Sequence, residues 1–266
     1  MKQTYTALDI PTITPTSVND LICAKKFWTL RVLKQWPPRP PLSFGAFGTA
    51  VHAILKEVYD PRNAPLPSLE DLDVWTREAF FRQRYSDEQC RELDMDRAKR
   101  MVGGYVYQAD GAETVGTIAT ERLLERPIFH DGKPLFVLSG VVDRMIVLPD
   151  DPDTLILLDL KTGRPKVDLW QACVLLALAK LTMPQYKKYV LFYDWLDEGG
   201  RVDRDGINTA DVKGVWPRIM RRAVEVLTAD EHLAEPTDYC TYCPLRADCQ
   251  PTAGTTIEEV ADLFEE

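Results

Sequence analysis

This chain of 266 residues has no apolar run long enough to cross a bilayer. The longest candidate, ACVLLALAKL at residues 172–181, is too short and is interrupted by a lysine. The first residues, MKQTYTALDIPTIT, also lack the continuous apolar region of a signal peptide. From these two absences we predict a cytoplasmic protein with no membrane partner.

Basic charge is also in deficit, because 32 lysine and arginine residues face 41 acidic ones and the net charge is −9. This balance argues against a protein that coats nucleic acid by bulk charge. It leaves room for an enzyme that holds nucleic acid in a local basic groove and binds metal ions through carboxylates. The chain has no G-x-x-x-x-G-K-[ST] loop, so any unwinding of DNA would require a helicase partner.

Apolar periodicity divides the chain into a helical first part and a mixed second part. The first part predicts helices at residues 15–35, with Ser17 as N-cap, and at 45–59, 68–85 and 87–109. The second part predicts antiparallel strands at 117–129, 134–148 and 154–162, a helix at 167–182, a hairpin of residues 186–196 and 201–207 around DEGG, and a helix at 210–229. This order predicts an α/β fold with a mixed central sheet flanked by helices.

The strand segment LDLKTG at residues 158–163 carries the most informative pair of side chains. Because side chains alternate along a strand, Asp159 and Lys161 point to the same face. A carboxylate can hold a divalent cation there, and a lysine can orient the attacking water and offset charge on a phosphate. The alternative interpretation of this pair is an ordinary surface ion pair.

Two further residues extend this candidate site. Asp143 lies among apolar residues of the preceding strand, where an unpaired carboxylate is costly. A hairpin around PDDPD would bring Asp143 beside Asp159, and both are hard oxygen ligands of the kind that Mg²⁺ or Mn²⁺ prefers. His52, at the edge of an apolar helix stripe, is a third candidate ligand or, alternatively, a border residue of the core.

Four motifs in this order resemble the RecB-like branch of the PD-(D/E)XK nuclease superfamily: GTAVH at 48–52, GVVDR at 140–144, LDLKTG at 158–163, and Gln171. The resemblance spans roughly residues 17–249. It implies a restriction-endonuclease-like fold and an Mg²⁺- or Mn²⁺-dependent DNA nuclease. The implied roles are metal ligation by His52, Asp143, Asp159 and the backbone carbonyl of Leu160, and catalysis by Lys161.

The resemblance also assigns more peripheral residues. Gln171 matches the start of a Q-x-x-x-Y motif that helps to position DNA, but Leu175 stands at the tyrosine position. The chain thus departs from the family at an aromatic contact to nucleic acid and not at the metal site. Glu121 matches a less regular acidic position. Relatives with a histidine on the first helix are often exonucleases, so we expect action on single-stranded or free DNA ends in recombination, repair or phage DNA processing.

Three of the six cysteines are concentrated in the segment CTYCPLRADC at residues 240–249. In a reducing compartment such clustering indicates a metal or cluster site, which needs a fourth ligand. The resemblance to AddB-type and CRISPR-associated nucleases implies a [4Fe–4S] cluster held by Cys23, Cys240, Cys243 and Cys249; four-cysteine zinc is the alternative. The isolated Cys90 and Cys173 are expected to be buried small hydrophobes.

We therefore predict one nuclease domain over residues 1–250, tied together by the cysteine site, and an acidic tail at 251–266. A catalytically inactive DNA-end-binding or scaffolding protein on the same fold is the alternative. A zinc-stapled interaction module without a nucleic-acid role is a third interpretation, and it leaves His52 and the Asp159–Lys161 strand unexplained.

Overall fold

The computed structural model describes residues 10–37, 43–63, 67–85, 87–107, 116–163, 166–196, 202–237, 240 and 243–249. The chain divides into two compact units. We call Met1–Arg39, Glu125–Ser139 and Lys213–Glu266 the terminal unit, and Pro40–Leu124 with Gly140–Val212 the central unit. A single domain over residues 1–250 stays a prediction, and the acidic tail and the DEGG turn at 197–200 lie outside the described residues.

Six α-helices and six strands follow one another along the described residues. They are β1 (Thr12–Ile13), α1 (Ala24–Phe27), α2 (Ser43–Tyr59), α3 (Leu69–Phe81), α4 (Glu88–Tyr107), β2 (Thr117–His130), β3 (Lys133–Leu148), β4 (Asp151–Lys161), α5 (Leu169–Thr182), β5 (Lys188–Leu196), β6 (Val202–Asn208) and α6 (Val215–Thr228). The strands belong to one mixed sheet, which confirms the predicted α/β fold class. Within the described part of the chain, no helix is both long and apolar enough to span a membrane.

Helix α2 packs its predicted apolar stripe into the core of the central unit. Val51, Ile54, Leu55 and Val58 are all at most 2% exposed. They share one apolar cluster with residues of α3 and α4 and with Leu160 of β4. The spacing of this stripe at i, i+3, i+4 and i+7 is what fixes the face that α2 buries.

The register of the central strands sets the position of the candidate site. Strand β3 runs antiparallel to β4, with Arg144 opposite Leu158, so the next step brings Asp143 level with Asp159. Strand β4 runs parallel to β5, which places Asp159 beside Tyr193. Strands β5 and β6 form the predicted antiparallel hairpin.

The terminal unit contains the largest departures from the predicted secondary structure. The single helix expected at residues 15–35 is instead a 3₁₀ turn (Val18–Ile22), the short α1, and a π-helical turn (Trp28–Val32). Cys23 separates the first two with an extended backbone, φ −116° and ψ 111°. The short parallel strand β1, which pairs with β3, was not predicted.

Ser17 occupies the N-cap position of the 3₁₀ turn, but it does not cap the turn with its side chain as the sequence suggested. Its side chain makes no capping hydrogen bond to the turn that follows. Its hydroxyl instead accepts a hydrogen bond from the backbone N–H of Thr14 at 2.7 Å. The side-chain cap is absent because a serine can bond to preceding as well as following backbone groups.

Candidate active site

Three side chains of the central unit form a compact group of metal-type donors. They are His52 from α2, Glu121 from β2 and Asp143 from β3, and one donor atom of each lies within 4.8 Å of the others. Among the described residues this is the only such group of three or more. An imidazole nitrogen and two carboxylates suit a divalent cation such as Mn²⁺ or Mg²⁺.

Asp143 contacts both strand β4 and helix α2. Its Oδ2 accepts the backbone N–H of Leu160 at 2.6 Å, and its Oδ1 lies 3.1 Å from Nδ1 of His52. The carboxylate is thus held by strand β4 on one side and faces helix α2 on the other. These two contacts explain how an acid can lie on a largely buried strand, because both carboxylate oxygens have a partner.

Asp159 lies next to this group but is paired differently. Its Oδ2 is 2.8 Å from the Nζ of Lys161, as expected for two residues on one strand face. Burial raises the pKa of Asp159 to about 6, the ammonium of Lys161 opposes this shift, and the charge of Asp143 adds to it. Metal ligation by Asp159 and by the carbonyl of Leu160 stays a prediction.

His52 sits between two carboxylates, with Nδ1 also 3.7 Å from Oε1 of Glu121. Burial lowers the pKa of His52, but the hydrogen bonds and negative charges of Asp143 and Glu121 outweigh burial and raise the pKa from 6.5 to about 10. A cation in this position would replace the imidazole proton, because a ligating histidine must be neutral.

The raised pKa of His52 predicts how the stability of the protein in EDTA depends on pH. A group whose pKa is higher in the folded state contributes stability that is complete below its unfolded pKa and is lost as the pH rises through its folded pKa. The contribution of His52 should therefore be complete below pH 6.5 and lost as the pH rises toward about 10. In urea unfolding, the stability difference between wild type and His52→Gln should shrink by about 2 kcal/mol over this range, after a discount for solvent screening.

The control for this measurement is His130→Gln, which removes a histidine that is 43% exposed. This variant should follow the wild-type curve. Parallel curves for wild type and His52→Gln between pH 6 and pH 10 would contradict the prediction.

Glu121 reaches the site from a strained backbone. Its φ is +46°, in the left-handed region that non-glycine residues rarely occupy. Such a residue costs on the order of 1–3 kcal/mol and persists where the surrounding structure imposes it. Glu121 was predicted only through the family resemblance, because nothing in the local sequence marks a left-handed residue inside a strand.

This strain predicts that two substitutions of Glu121 differ in stability although both weaken metal binding. In EDTA, Glu121→Gly should be more stable than Glu121→Gln by about 0.5–1 kcal/mol, because glycine adopts positive φ without strain. Both variants should lose about tenfold or more in Mn²⁺ affinity, since both lack the carboxylate. Chemical denaturation and calorimetric titration with Mn²⁺ would measure the two effects. A Glu121→Gln protein as stable as Glu121→Gly would show that the backbone is not strained.

Helix α5 places Gln171 in its first turn. The N-cap residue Asp168 accepts the backbone N–H groups of Trp170 and Gln171 at 3.0 and 3.1 Å. Leu175, at the position of the family's tyrosine, is 2% exposed and belongs to the core. A role of Gln171 toward DNA stays a prediction.

All four predicted cysteine ligands line one cavity of the terminal unit. The backbone N–H of Glu235 donates to Sγ of Cys23 at 3.5 Å, and that of Thr237 donates to Sγ of Cys240 at 3.2 Å. Lys26 also lines the cavity.

Of the two isolated cysteines, Cys173 is buried as predicted, but Cys90 is exposed and that prediction was wrong. The low apolar content of α4 allows this, because its outer face is solvated.

Sequence reasoning missed a buried polar group of the central unit. Arg144 and Asp194 are 2% and 0% exposed. The guanidinium of Arg144 lies 3.9 Å from the ring centre of Tyr59, and the hydroxyl of Tyr105 donates to Asp194 at 3.0 Å. Only the tertiary contacts distinguish these two charged residues from solvated ones, so the sequence carries no signal for them.

Comparison with known proteins identifies the family. Residues 12–250 match the model of the PD-(D/E)XK nuclease superfamily, and the chain therefore belongs to this superfamily of nucleases. No curated protein matches the chain. Two solved structures are similar: the putative exonuclease from Eubacterium rectale, with a TM-score of 0.48, 7% identity and 99% coverage of both chains, and SSO0001, with a TM-score of 0.36, 15% identity and coverage of 88% of this chain and 97% of that one. Both TM-scores are below 0.5, so only the family assignment enters the argument.

Proposed function

We propose that this member of the PD-(D/E)XK nuclease superfamily is an Mg²⁺- or Mn²⁺-dependent deoxyribonuclease that degrades DNA from its ends. The observation that carries the proposal is the compact donor group of His52, Glu121 and Asp143 beside the Asp159–Lys161 pair. Nucleases of this superfamily use divalent metals, and the residues present fit one. Their donor atoms are one nitrogen and carboxylate oxygens, which a hard cation accepts.

The proposed ligands are His52, Glu121 and Asp143, with Asp159 and the carbonyl of Leu160 as further candidates. When bound, the cation would supply Lewis-acid polarisation of the scissile phosphate and lower the pKa of a bound water. Asp143 would keep its orientation through the N–H of Leu160. Lys161 would donate to the attacking water or to a phosphate oxygen, and its charge would offset the negative charge that develops there.

The preference for DNA ends rests on resemblance to RecB-like nucleases with a histidine on the first helix. His52 lies on α2, and the resemblance matches it to that histidine. We propose single-stranded DNA or free duplex ends as substrate, in recombination, repair or mobile-element DNA processing. A helicase or recombination partner would supply the unwinding for which this chain has no nucleotide-binding loop.

We further propose that Cys23, Cys240, Cys243 and Cys249 hold a [4Fe–4S] cluster with a structural role. Two features support this: the four residues line one cavity, and backbone N–H groups donate to two of the sulfurs. Four-cysteine zinc is the alternative occupant of the same cavity.

The first experiment is cleavage of end-labelled linear DNA, single- and double-stranded, with closed circular DNA in parallel. Reactions contain Mg²⁺, Mn²⁺ or EDTA and compare wild type with Lys161→Ala. The matched control is Lys187→Ala, which removes a lysine just before β5 that pairs with Asp153 of β4 at 2.6 Å. We expect metal-dependent shortening of linear DNA by wild type and Lys187→Ala, and a loss of about 10³-fold or more for Lys161→Ala.

Other results would change the proposal in defined ways. Cutting of circular DNA would replace the exonuclease by an endonuclease. Metal-independent binding of DNA ends without cleavage would indicate the inactive end-binding protein, which the burial of Leu175 in place of a DNA-contacting tyrosine favours. Undiminished cleavage by Lys161→Ala would refute the assigned catalytic residue.

A further inference from the structure

Tyr193 is a buried tyrosine of β5 that touches two parts of the candidate active site. It is 1% exposed and stands beside Asp159 in the parallel register of β4 and β5. No sequence motif marks it, and it has no role in the proposed cleavage reaction itself. Its contacts indicate a role beyond packing in the hydrophobic core.

The first contact is with Lys161. The Nζ atom of Lys161 lies 5.4 Å from the centre of the Tyr193 ring and 2.8 Å from Oδ2 of Asp159. A cation within about 6 Å of an aromatic ring is attracted by its electron-rich face. Lysine has four rotatable side-chain bonds, so two fixed partners restrict it far more than the carboxylate alone would.

The second contact is with the beginning of α5. The hydroxyl of Tyr193 donates to the backbone carbonyl of Asp168 at 3.0 Å. Asp168 caps α5 and accepts the N–H of Gln171. One side chain thus connects the lysine of β4 with the helix turn that carries Gln171.

We propose that Tyr193 is a positioning residue, which holds Lys161 toward Asp159 with its ring and fixes the first turn of α5 with its hydroxyl. The inference rests on the proposed nuclease function for its kinetic consequence, but the position of Lys161 can be measured without it. Misplacement of a reacting group by about 1 Å can cost on the order of 10²-fold in rate, so this restriction matters for catalysis.

Tyr189 provides a matched control on the same strand. It is 4% exposed, and its hydroxyl lies 2.8 Å from the carbonyl oxygen of Met183 and 2.9 Å from that of Tyr186. It therefore resembles Tyr193 in burial and hydrogen bonding, but at the other end of α5. Substitutions at Tyr189 report what the loss of a buried tyrosine does to stability alone.

The experiment compares Tyr193→Phe, Tyr193→Leu, Tyr189→Phe and Tyr189→Leu by kcat, KM and Tm. Tyr193→Phe keeps the ring, and its kcat should fall about 3- to 10-fold. Tyr193→Leu also removes the ring, and its kcat should fall about 30- to 100-fold with KM within about twofold of wild type. Both Tyr189 variants should keep kcat within about twofold, although their Tm falls as much. Equal kcat values for the leucine variants at the two positions, or an effect on KM alone, would overturn the proposal.

A second readout separates this inference from the nuclease function. In protein with ¹³C-labelled lysine, the ε-methylene signal of Lys161, assigned through Lys161→Arg, should carry a ring-current shift from Tyr193. The shift should persist in Tyr193→Phe and Tyr189→Leu and disappear in Tyr193→Leu. If wild type cleaves no DNA and the shift still behaves this way, the proposed function fails and the positioning stands. An unchanged signal in Tyr193→Leu overturns the positioning itself.

Discussion

Asp143→Asn should abolish both cleavage and binding of divalent cations while leaving the protein folded. The asparagine has the same shape and can still accept the N–H of Leu160, which Asp143 accepts at 2.6 Å. It lacks the charge that a cation requires, and the metal contributes several kcal/mol to such reactions. We therefore expect cleavage to fall by about 10³-fold or more.

The measurement combines cleavage of end-labelled DNA with calorimetric titration of Mn²⁺ and unfolding in the presence and absence of Mn²⁺. Wild type should gain stability with Mn²⁺ because a ligand that binds only the folded state stabilises it. Asp143→Asn should not. The matched control is Asp153→Asn, which changes a 50% exposed aspartate on β4 whose partner is Lys187. Cleavage by Asp143→Asn within tenfold of wild type would rule out Asp143 as a metal ligand.

Cys240→Ser and Cys23→Ser should each remove the proposed cluster and strongly destabilise the protein. The cluster would join residues near both ends of the chain, and closing so long a loop restricts the unfolded state. In the chain-entropy model a cross-link of this span contributes about 5 kcal/mol. For a chain of this size the corresponding loss is about 10–20 °C in Tm.

Protein purified without exposure to air would be used to measure iron, zinc and sulfide, the absorption band at ~400 nm expected of such clusters, and Tm. Cys90→Ser is the control, because Cys90 is exposed on α4 and lies outside the cavity. This variant should keep the band and the wild-type Tm. Zinc in place of iron in the anaerobic wild-type protein would contradict the [4Fe–4S] assignment and leave a zinc staple.

Much of the candidate site could be predicted where short-range periodicity decides the geometry. The alternation of side chains placed Asp159 and Lys161 on one face, and the observed 2.8 Å pair agrees with it. The hairpin of β3 and β4 followed from two apolar strands around a turn, and its register brings Asp143 level with Asp159. The apolar stripe of α2 likewise determined which face of the helix is buried, and His52 lies at the border of this stripe.

Other features could not be predicted because they arise from contacts between distant segments. Glu121 holds φ +46° inside a strand, and its Oε1 lies 3.7 Å from Nδ1 of His52; no local propensity indicates either feature. The helix expected at residues 15–35 is divided at Cys23. There the guanidinium of Arg222, which is about two hundred residues away in sequence, donates to the carbonyls of Leu21 and Ile22.

The sequence by itself determined the order of the helices and strands from α2 to α6 and the shared face of Asp159 and Lys161, because these depend on periodicity. Only the tertiary structure decided which metal-type donors lie close together. It groups His52 with Glu121 and Asp143, whereas Asp159 forms an ion pair with Lys161. It also decided that Tyr193, which is unmarked in the sequence, lies against Lys161. Distances between side chains on different elements depend on how those elements pack, and packing is a property of the whole chain.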